Sequence, residues 1–317
     1  MAFRNITQFV LLNISSKKRF ITLLFMFCCI LDFNAQDIEP RRWNPLPLKT
    51  NVAGVGYIYS GGTLLFDPST QIRDARVNAH TTAFSFVKPI KLKNTLARID
   101  VLIPITSGDW DGLLSGGPAS VNRFGFNDPR IRFSVTIAGA PPGDAKEMQT
   151  FFKEKTKHTI WGASLAITLP LGEYYRDKLI NLGRNRFAFR PQVGLLHRWS
   201  NWSFELTGSV FLFTNNNNFY DNQTKKQKPL GAIQSHIIKS FKSRIWTSFS
   251  LGYGYGGQSK LDSVSQNDTQ SELLAAFSFG KTIFKNQSIK LFYLRNEALN
   301  SVGADTNSGG ITWGILF

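Results

Sequence analysis

Apolar and polar side chains alternate along the chain after residue 51, with a repeat of two residues. The clearest segment has four apolar residues on one strand face and four polar residues on the other: Ile131, Phe133, Val135 and Ile137 against Arg130, Arg132, Ser134 and Thr136. Successive side chains of a β-strand point to opposite faces, so this pattern predicts antiparallel strands with one apolar and one polar face. The chain is therefore expected to be all-β.

Twelve such segments follow one another, and the connections between them alternate in length. Long polar connections follow the odd-numbered segments: 60–76, 104–128, 170–185, 214–229, 256–270 and 296–308. Short turns follow the even-numbered ones, except that 138–158 is long and contains a predicted helix at 144–155. An even strand number with long loops on one rim and short turns on the other is typical of bacterial outer-membrane barrels. We predict a transmembrane antiparallel β-barrel of about twelve strands.

The C-terminal segment strengthens this prediction. Four apolar residues fall on one strand face, and the last is the terminal residue: Ile311, Trp313, Ile315 and Phe317. The last strand of an outer-membrane barrel closes the barrel and faces lipid, and a terminal aromatic of this kind resembles the signal that barrel-assembly machinery reads. The machinery, outer-membrane lipid and lipopolysaccharide are therefore the expected partners. The alternative is a buried C-terminal strand in a soluble β-sandwich.

The N-terminal residues predict export. Lys17, Lys18 and Arg19 precede the apolar stretch 20–31, which is too short to span a bilayer and is typical of a signal peptide. Both cysteines lie inside that stretch, so cleavage after Ala35 would remove every thiol. We divide the chain into a signal peptide (1–35), a proline-rich periplasmic lead-in or plug (36–50) and a barrel (51–317), located in the outer membrane of a Gram-negative bacterium.

The polar faces of the predicted strands carry many charges. A charge inside the hydrocarbon slab is costly, so these side chains are expected to point into the lumen. The lumen-lining candidates, with two aromatic residues that fall on the same face, are Arg98, Asp100, Arg130, Arg132, Arg186, Arg190, Glu205, Trp246, Glu272, Lys290 and Phe292. These residues form either a structural network that fills a narrow barrel or a polar wall that selects solutes. Inward aromatic residues beside charges suit an aromatic or amphipathic solute.

Other functional classes find little support. The formal net charge is +16, but the basic residues are dispersed and the export signal removes nucleic acid as a natural partner. The four histidines lack metal-ligand spacing and no catalytic motif occurs, so we expect no enzyme, metal or cofactor. An outer-membrane hydrolase that uses a serine and a histidine remains an alternative.

Several stretches resemble a family of outer-membrane transporters named for the meta-pathway of phenol degradation. They follow one another through most of the chain: 45–48, 51–56, 97–104, 113–118, 126–134, 169–172, 181–186, 189–192 and 205–210. The resemblance implies a barrel that transports small solutes, and it carries over no catalytic or binding residue. We expect a transporter or channel, with a structural or adhesion barrel of filled lumen as the alternative.

Overall fold

The computed structural model describes residues 38–66, 72–155 and 157–317. The predicted signal peptide lies outside the described residues. Within them the chain forms seventeen strands and one α-helix: β1 (Val52–Leu65), β2 (Ile72–Leu92), β3 (Thr95–Leu114), β4 (Gly117–Phe126), β5 (Arg130–Ala138), α1 (Ala145–Glu154), β6 (Lys157–Thr168), β7 (Ala188–Trp199), β8 (Trp202–Phe213), β9 (Asn216–Phe219), β10 (Gln223–Gln227), β11 (Leu230–Ser240), β12 (Ile245–Gly256), β13 (Ser259–Leu261), β14 (Val264–Ser265), β15 (Gln270–Thr282), β16 (Gln287–Ala298) and β17 (Gly303–Leu316). A single 3-10 turn, Tyr220–Asn222, separates β9 from β10 among these residues.

Twelve of the strands close into an antiparallel barrel, as predicted. Around the barrel they run β1, β2, β3, β5, β6, β7, β8, β11, β12, β15, β16 and β17. The last strand closes on the first from Val52 opposite Leu316 to Leu65 opposite Gly303. The backbones of Asn51 and Phe317 then exchange two hydrogen bonds of 2.7 and 3.0 Å at this end of the seam.

The barrel is apolar outside and polar inside. On β5, Phe133 is 40% exposed while its neighbour Arg132 is 3% exposed. The same inversion holds on β11, where Ile237 is exposed and His236 is buried. A sheet with its apolar face outward is stable against lipid and not against water, so the soluble sandwich is excluded. None of the helices in the described ranges is long and apolar enough to cross a membrane.

The predicted long loops are partly wrong, because several strands extend far beyond the alternating segments. Residues 104–128 were expected to be a loop, yet β3 continues to Leu114 and β4 returns along it from Gly117. The turn between them has positive φ at Ser115 and Gly116, which is the geometry of a tight two-residue hairpin. The hairpins β9–β10 and β13–β14 form a second, four-stranded sheet at the same rim, which we call the long-loop rim.

The opposite rim, with its short turns, carries α1. The predicted helix is confirmed: Asp144 accepts the backbone N–H groups of Lys146 and Glu147, and the Glu147 carboxylate accepts the N–H of Asp144. This capping box satisfies donors that the first helical turn would otherwise leave free. The N–H of Leu48 donates to the Gly143 carbonyl at 2.8 Å, so the N-terminal lead-in is attached where the helix begins.

Candidate functional site

The described part of the lead-in, residues 38–50, contacts the inner face of the barrel. Trp43 is its most buried apolar side chain, at 6% exposed. Its indole packs with Ile160 and Leu196, and its Nε1 donates to Thr207 Oγ1 at 2.7 Å. A buried indole needs both an apolar surface and an acceptor for its N–H, and the barrel wall supplies both.

Two inward-facing glycines make room for the indole. Gly162 on β6 and Gly194 on β7 are paired across the two strands. A Cβ atom at Gly162 would lie 2.4 Å from the Trp43 ring, and one at Gly194 would lie 2.3 Å from Trp43 Nε1. Any larger residue at either position would therefore displace the indole, so the pair forms a shaped seat for Trp43.

Arg42 is held next to this seat by partners from three barrel strands. Its backbone N–H donates to Glu205 Oε2 at 3.0 Å, and its Nη2 donates to Ser134 Oγ at 2.5 Å. Its Nη1 lies 3.6 Å from Asp100 Oδ2. Since Glu205 is fully buried, the backbone of the lead-in provides a donor to a carboxylate that water does not reach.

Glu39 makes the third attachment. Arg130 Nη2 and Arg132 Nη2 both donate to Glu39 Oε1 at 2.8 Å, and Arg132 Nη1 donates to Oε2. The backbone N–H of Glu39 donates to Gln234 Oε1 on β11 at 3.2 Å. A two-pronged arginine–carboxylate pair is strong and directional. The lead-in is thus joined to both β5 and β11.

Ten of the eleven predicted lumen-lining residues lie on the strand face opposite the exposed apolar one, whereas Arg186 lies outside the strands, two residues before β7 begins. Five of them contact the lead-in: Asp100, Arg130, Arg132, Glu205 and Trp246, whose ring lies 5.1 Å from the Arg41 guanidinium. The other six have these neighbours: Arg98 is 3.2 Å from Asp100 and lines a small cavity with Arg42 and Trp43, Arg186 lies over Phe213 at 4.7 Å, Arg190 over Phe211 at 4.5 Å and Lys290 over Phe292 at 5.1 Å, and Glu272 is buried. The structure therefore brings about half of the set together around one segment, and their role in solute passage stays a prediction.

Sequence reasoning missed the residues that hold Trp43. Thr207, Gly162 and Gly194 are small or uncharged and lack a chemical signature. The signal that could have found the glycines is their place in the two-residue alternation. Both occupy inward positions in strands whose other inward residues are larger. A glycine in a strand often marks a close approach of another group.

The interior carries more cations than carboxylates. The cationic side chains of the lead-in and of the inward strand faces include Arg41, Arg42, Arg98, Arg130, Arg132, Arg190 and Lys290, with Arg186 just before β7, and the carboxylates beside them are Glu39, Asp100, Glu205 and Glu272. A low-dielectric wall concentrates the field of such charges. The interior therefore carries an excess of positive charge.

One histidine–serine pair bears on the hydrolase alternative. His236 Nδ1 lies 2.8 Å from Ser250 Oγ, and His236 stands opposite Glu205 in the β8–β11 register. Both His236 and Ser250 are 1% exposed, so no substrate carbonyl reaches the hydroxyl. Among the described residues, no group of three or more His, Cys, Asp or Glu side chains could hold a metal ion. The pair is a hydrogen bond within the wall and not a nucleophile site.

Two cavities bear on the binding of a solute. A cavity of about 250 Å³ at the long-loop rim is lined mainly by apolar residues of β3, β4 and the segment 169–187: Trp110, Leu113, Leu114, Val121, Leu179 and Ile180. A second, of about 150 Å³, lies beside Glu39 and is lined by arginines and by the apolar residues Val87, Val101 and Leu102. Both combine apolar surface with neighbouring charges, as amphipathic ligands require.

Known proteins place the chain in a family. A family model described as "Putative MetA-pathway of phenol degradation" matches residues 61–299. The chain belongs to this family. The resemblance drawn from the sequence motifs is thereby confirmed. No curated protein matches the sequence significantly.

A solved outer-membrane channel shares the fold of this chain. The COG4313 outer membrane channel from Pseudomonas putida F1 is 17% identical, with a TM-score of 0.73 over 89% of this chain and 100% of its own. A FadL homologue from Pseudomonas aeruginosa is 8% identical, with a TM-score of 0.43 over 90% of this chain and 99% of its own. The β domain of the Bordetella autotransporter BrkA is 9% identical, with a TM-score of 0.44 over 85% of this chain and 100% of its own. The first likeness supports the twelve-stranded outer-membrane barrel as the fold of this chain.

Proposed function

We propose that this protein is an outer-membrane channel for small aromatic or amphipathic solutes, and that its lead-in occludes the lumen in the state described. The observation that carries the proposal is the three-point attachment of the lead-in to the inner wall, through Glu39, Arg42 and Trp43. A segment that only filled a structural barrel would not need a set of ion pairs and a fitted tryptophan seat that form and break together.

The two cavities support the proposed solute class. One is apolar and lies at the long-loop rim, and the other lies deeper, next to the lead-in. A solute with an apolar body and a polar end would be accommodated by both. The similar structure from Pseudomonas putida is described as a channel, which supports transport over catalysis.

The C-terminal strand is proposed to serve assembly. Ile311, Trp313 and Phe317 are exposed on the outer face, and Ile315 is half-buried on the same strand. Their lipid-facing side and the terminal aromatic support a role as the signal for barrel-assembly machinery, with lipid and lipopolysaccharide around the finished barrel.

The test is single-channel conductance in planar bilayers, for the full mature protein and for a variant without residues 36–50. We expect rare, brief openings from the full protein and steady conductance from the truncated one, after heat-modifiable gel mobility has shown that both are folded. A folded truncated barrel that conducts no ions would contradict the proposal and would favour the structural barrel.

A further inference from the structure

The carboxylate of Glu39 occupies a site that belongs to the barrel. We call the pair Arg130 and Arg132 on β5 the arginine cage. Three of its guanidinium nitrogens donate to the two oxygens of Glu39. Planar guanidinium groups bind a carboxylate in this two-pronged way whether it comes from a side chain or from a small molecule.

This carboxylate is supplied by the lead-in and not by a neighbouring strand. The other acid close by, Asp100, is 3.2 Å from Arg98 and 3.6 Å from Arg42. When the lead-in leaves the lumen, the cage loses Glu39, and Asp100 stays beside Arg98 and opposite Arg132 on the neighbouring strand. Arg98, Arg130 and Arg132 then share the single carboxylate of Asp100, so a further anion is favoured beside them, because buried cations are stabilised by a paired negative charge.

The wall beside the cage can hold the rest of a small molecule. The 150 Å³ cavity beside Glu39 is lined by Arg98, Arg130 and Arg132, by Asp100 and Ser85, and by the aliphatic residues Val87 and Leu102. This volume is several times the roughly 30 Å³ that a water molecule occupies in the liquid. An organic acid could therefore place its carboxylate on the cage and its apolar body on the aliphatic side chains.

We propose that the arginine cage is a binding site for the carboxylate of a small amphipathic organic acid, and that Glu39 is its internal stand-in. The inference rests on the proposed channel function and narrows it to anionic solutes. The solute and Glu39 compete for the same guanidinium groups, so solute binding and release of the lead-in are coupled. An organic acid that enters would favour the open lumen.

Three probes with the same ring and different charge test this inference: benzoate, benzyl alcohol and benzylamine. Binding to the full-length mature protein in detergent is measured by calorimetry. We expect benzoate to bind more tightly than the other two, and Glu39→Gln to raise its affinity about tenfold or more, because the competitor has lost its charge. Adding Arg132→Gln to Glu39→Gln should abolish that gain, while Arg132→Lys should keep only part of it.

The matched control is Arg295→Gln, which removes a cation at the outer face, 3.8 Å from Asp305, and should leave benzoate binding unchanged. Equal affinities for benzoate and benzyl alcohol, or a benzoate gain that survives Arg132→Gln in folded protein, would overturn the inference. Conductance recorded in parallel separates the two proposals. A conducting barrel without charge discrimination refutes only the anion site, whereas a silent barrel that binds benzoate as expected refutes only the channel.

Discussion

Trp43→Ala should release the lead-in without unfolding the barrel. The indole is buried in a seat formed by Gly162 and Gly194, and its Nε1 donates to Thr207 at 2.7 Å. Removing a buried tryptophan side chain costs about 3–5 kcal/mol. The strands that form the barrel pair with one another and do not depend on this contact, so the loss falls on the attachment of the lead-in.

That free energy sets the expected size of the effect. Since about 1.4 kcal/mol corresponds to a factor of ten, the equilibrium between attached and released lead-in should shift by roughly 100-fold or more. Open probability in planar bilayers is the direct measurement. A second readout is the rate of proteolysis within residues 38–50, which should rise by a similar factor if the released segment is cleaved.

The matched control is Trp161→Ala, because Trp161 precedes Gly162 on the same strand and points outward, at 51% exposed. This variant removes an equal volume on the lipid side and should leave open probability unchanged. The reasoning would be refuted if folded Trp43→Ala remained as closed and as protease-resistant as the wild type. It would also be refuted if Trp161→Ala opened the channel equally.

Four further outcomes follow. Thr207→Val should weaken the attachment of the lead-in by about 1–3 kcal/mol, because the buried indole N–H of Trp43 loses its acceptor. Open probability should rise less than in Trp43→Ala, and equal opening would contradict the role of Thr207 as that acceptor. Ile237→Lys places a charge on the lipid-facing side and should destabilise the barrel by up to about 2–4 kcal/mol in urea titrations, whereas Ile237→Val should change little. Phe317→Ala should lower the yield of heat-modifiable barrel in cells but leave refolding into detergent normal, and normal yield in cells would count against an assembly signal. The backbone N–H of Glu147, with that of Lys146, lowers the pKa of the Asp144 carboxyl. The stability that this gives α1 is present at neutral pH and is lost as pH falls through the lowered pKa. Amide exchange in α1 should therefore accelerate in acid, and Asp144→Asn should flatten that pH dependence.

The sequence by itself determined the strands and their faces. Alternation on β5 and β11 correctly separated the outward Phe133 and Ile237 from the inward Arg132 and His236. These features are local, because a strand alternates its side chains whatever its neighbours are. Strand number and closure followed from counting such segments and from the lengths of the turns between them.

The alternation did not predict where the strands end at the long-loop rim. Residues 104–114 continue β3 although Gly108 and Gly112 interrupt the apolar pattern. They are strand because β2 on one side and β4 on the other supply backbone partners. Where a strand extends beyond the membrane, neither of its faces requires apolar residues. The hydrophobic pattern therefore does not show that these residues are hydrogen-bonded to neighbouring strands.

Only the tertiary structure decided what the inward charges contact. The lead-in is rich in proline and carries no periodic pattern, and its partners on β5, β8 and β11 are between 91 and 195 residues away in the chain. Closure of the barrel brings these strands around a common interior, where a carboxylate or an indole must find a partner. A pattern with a period of two residues predicts which way a side chain points, but the group that it meets depends on which strands the closed barrel places opposite.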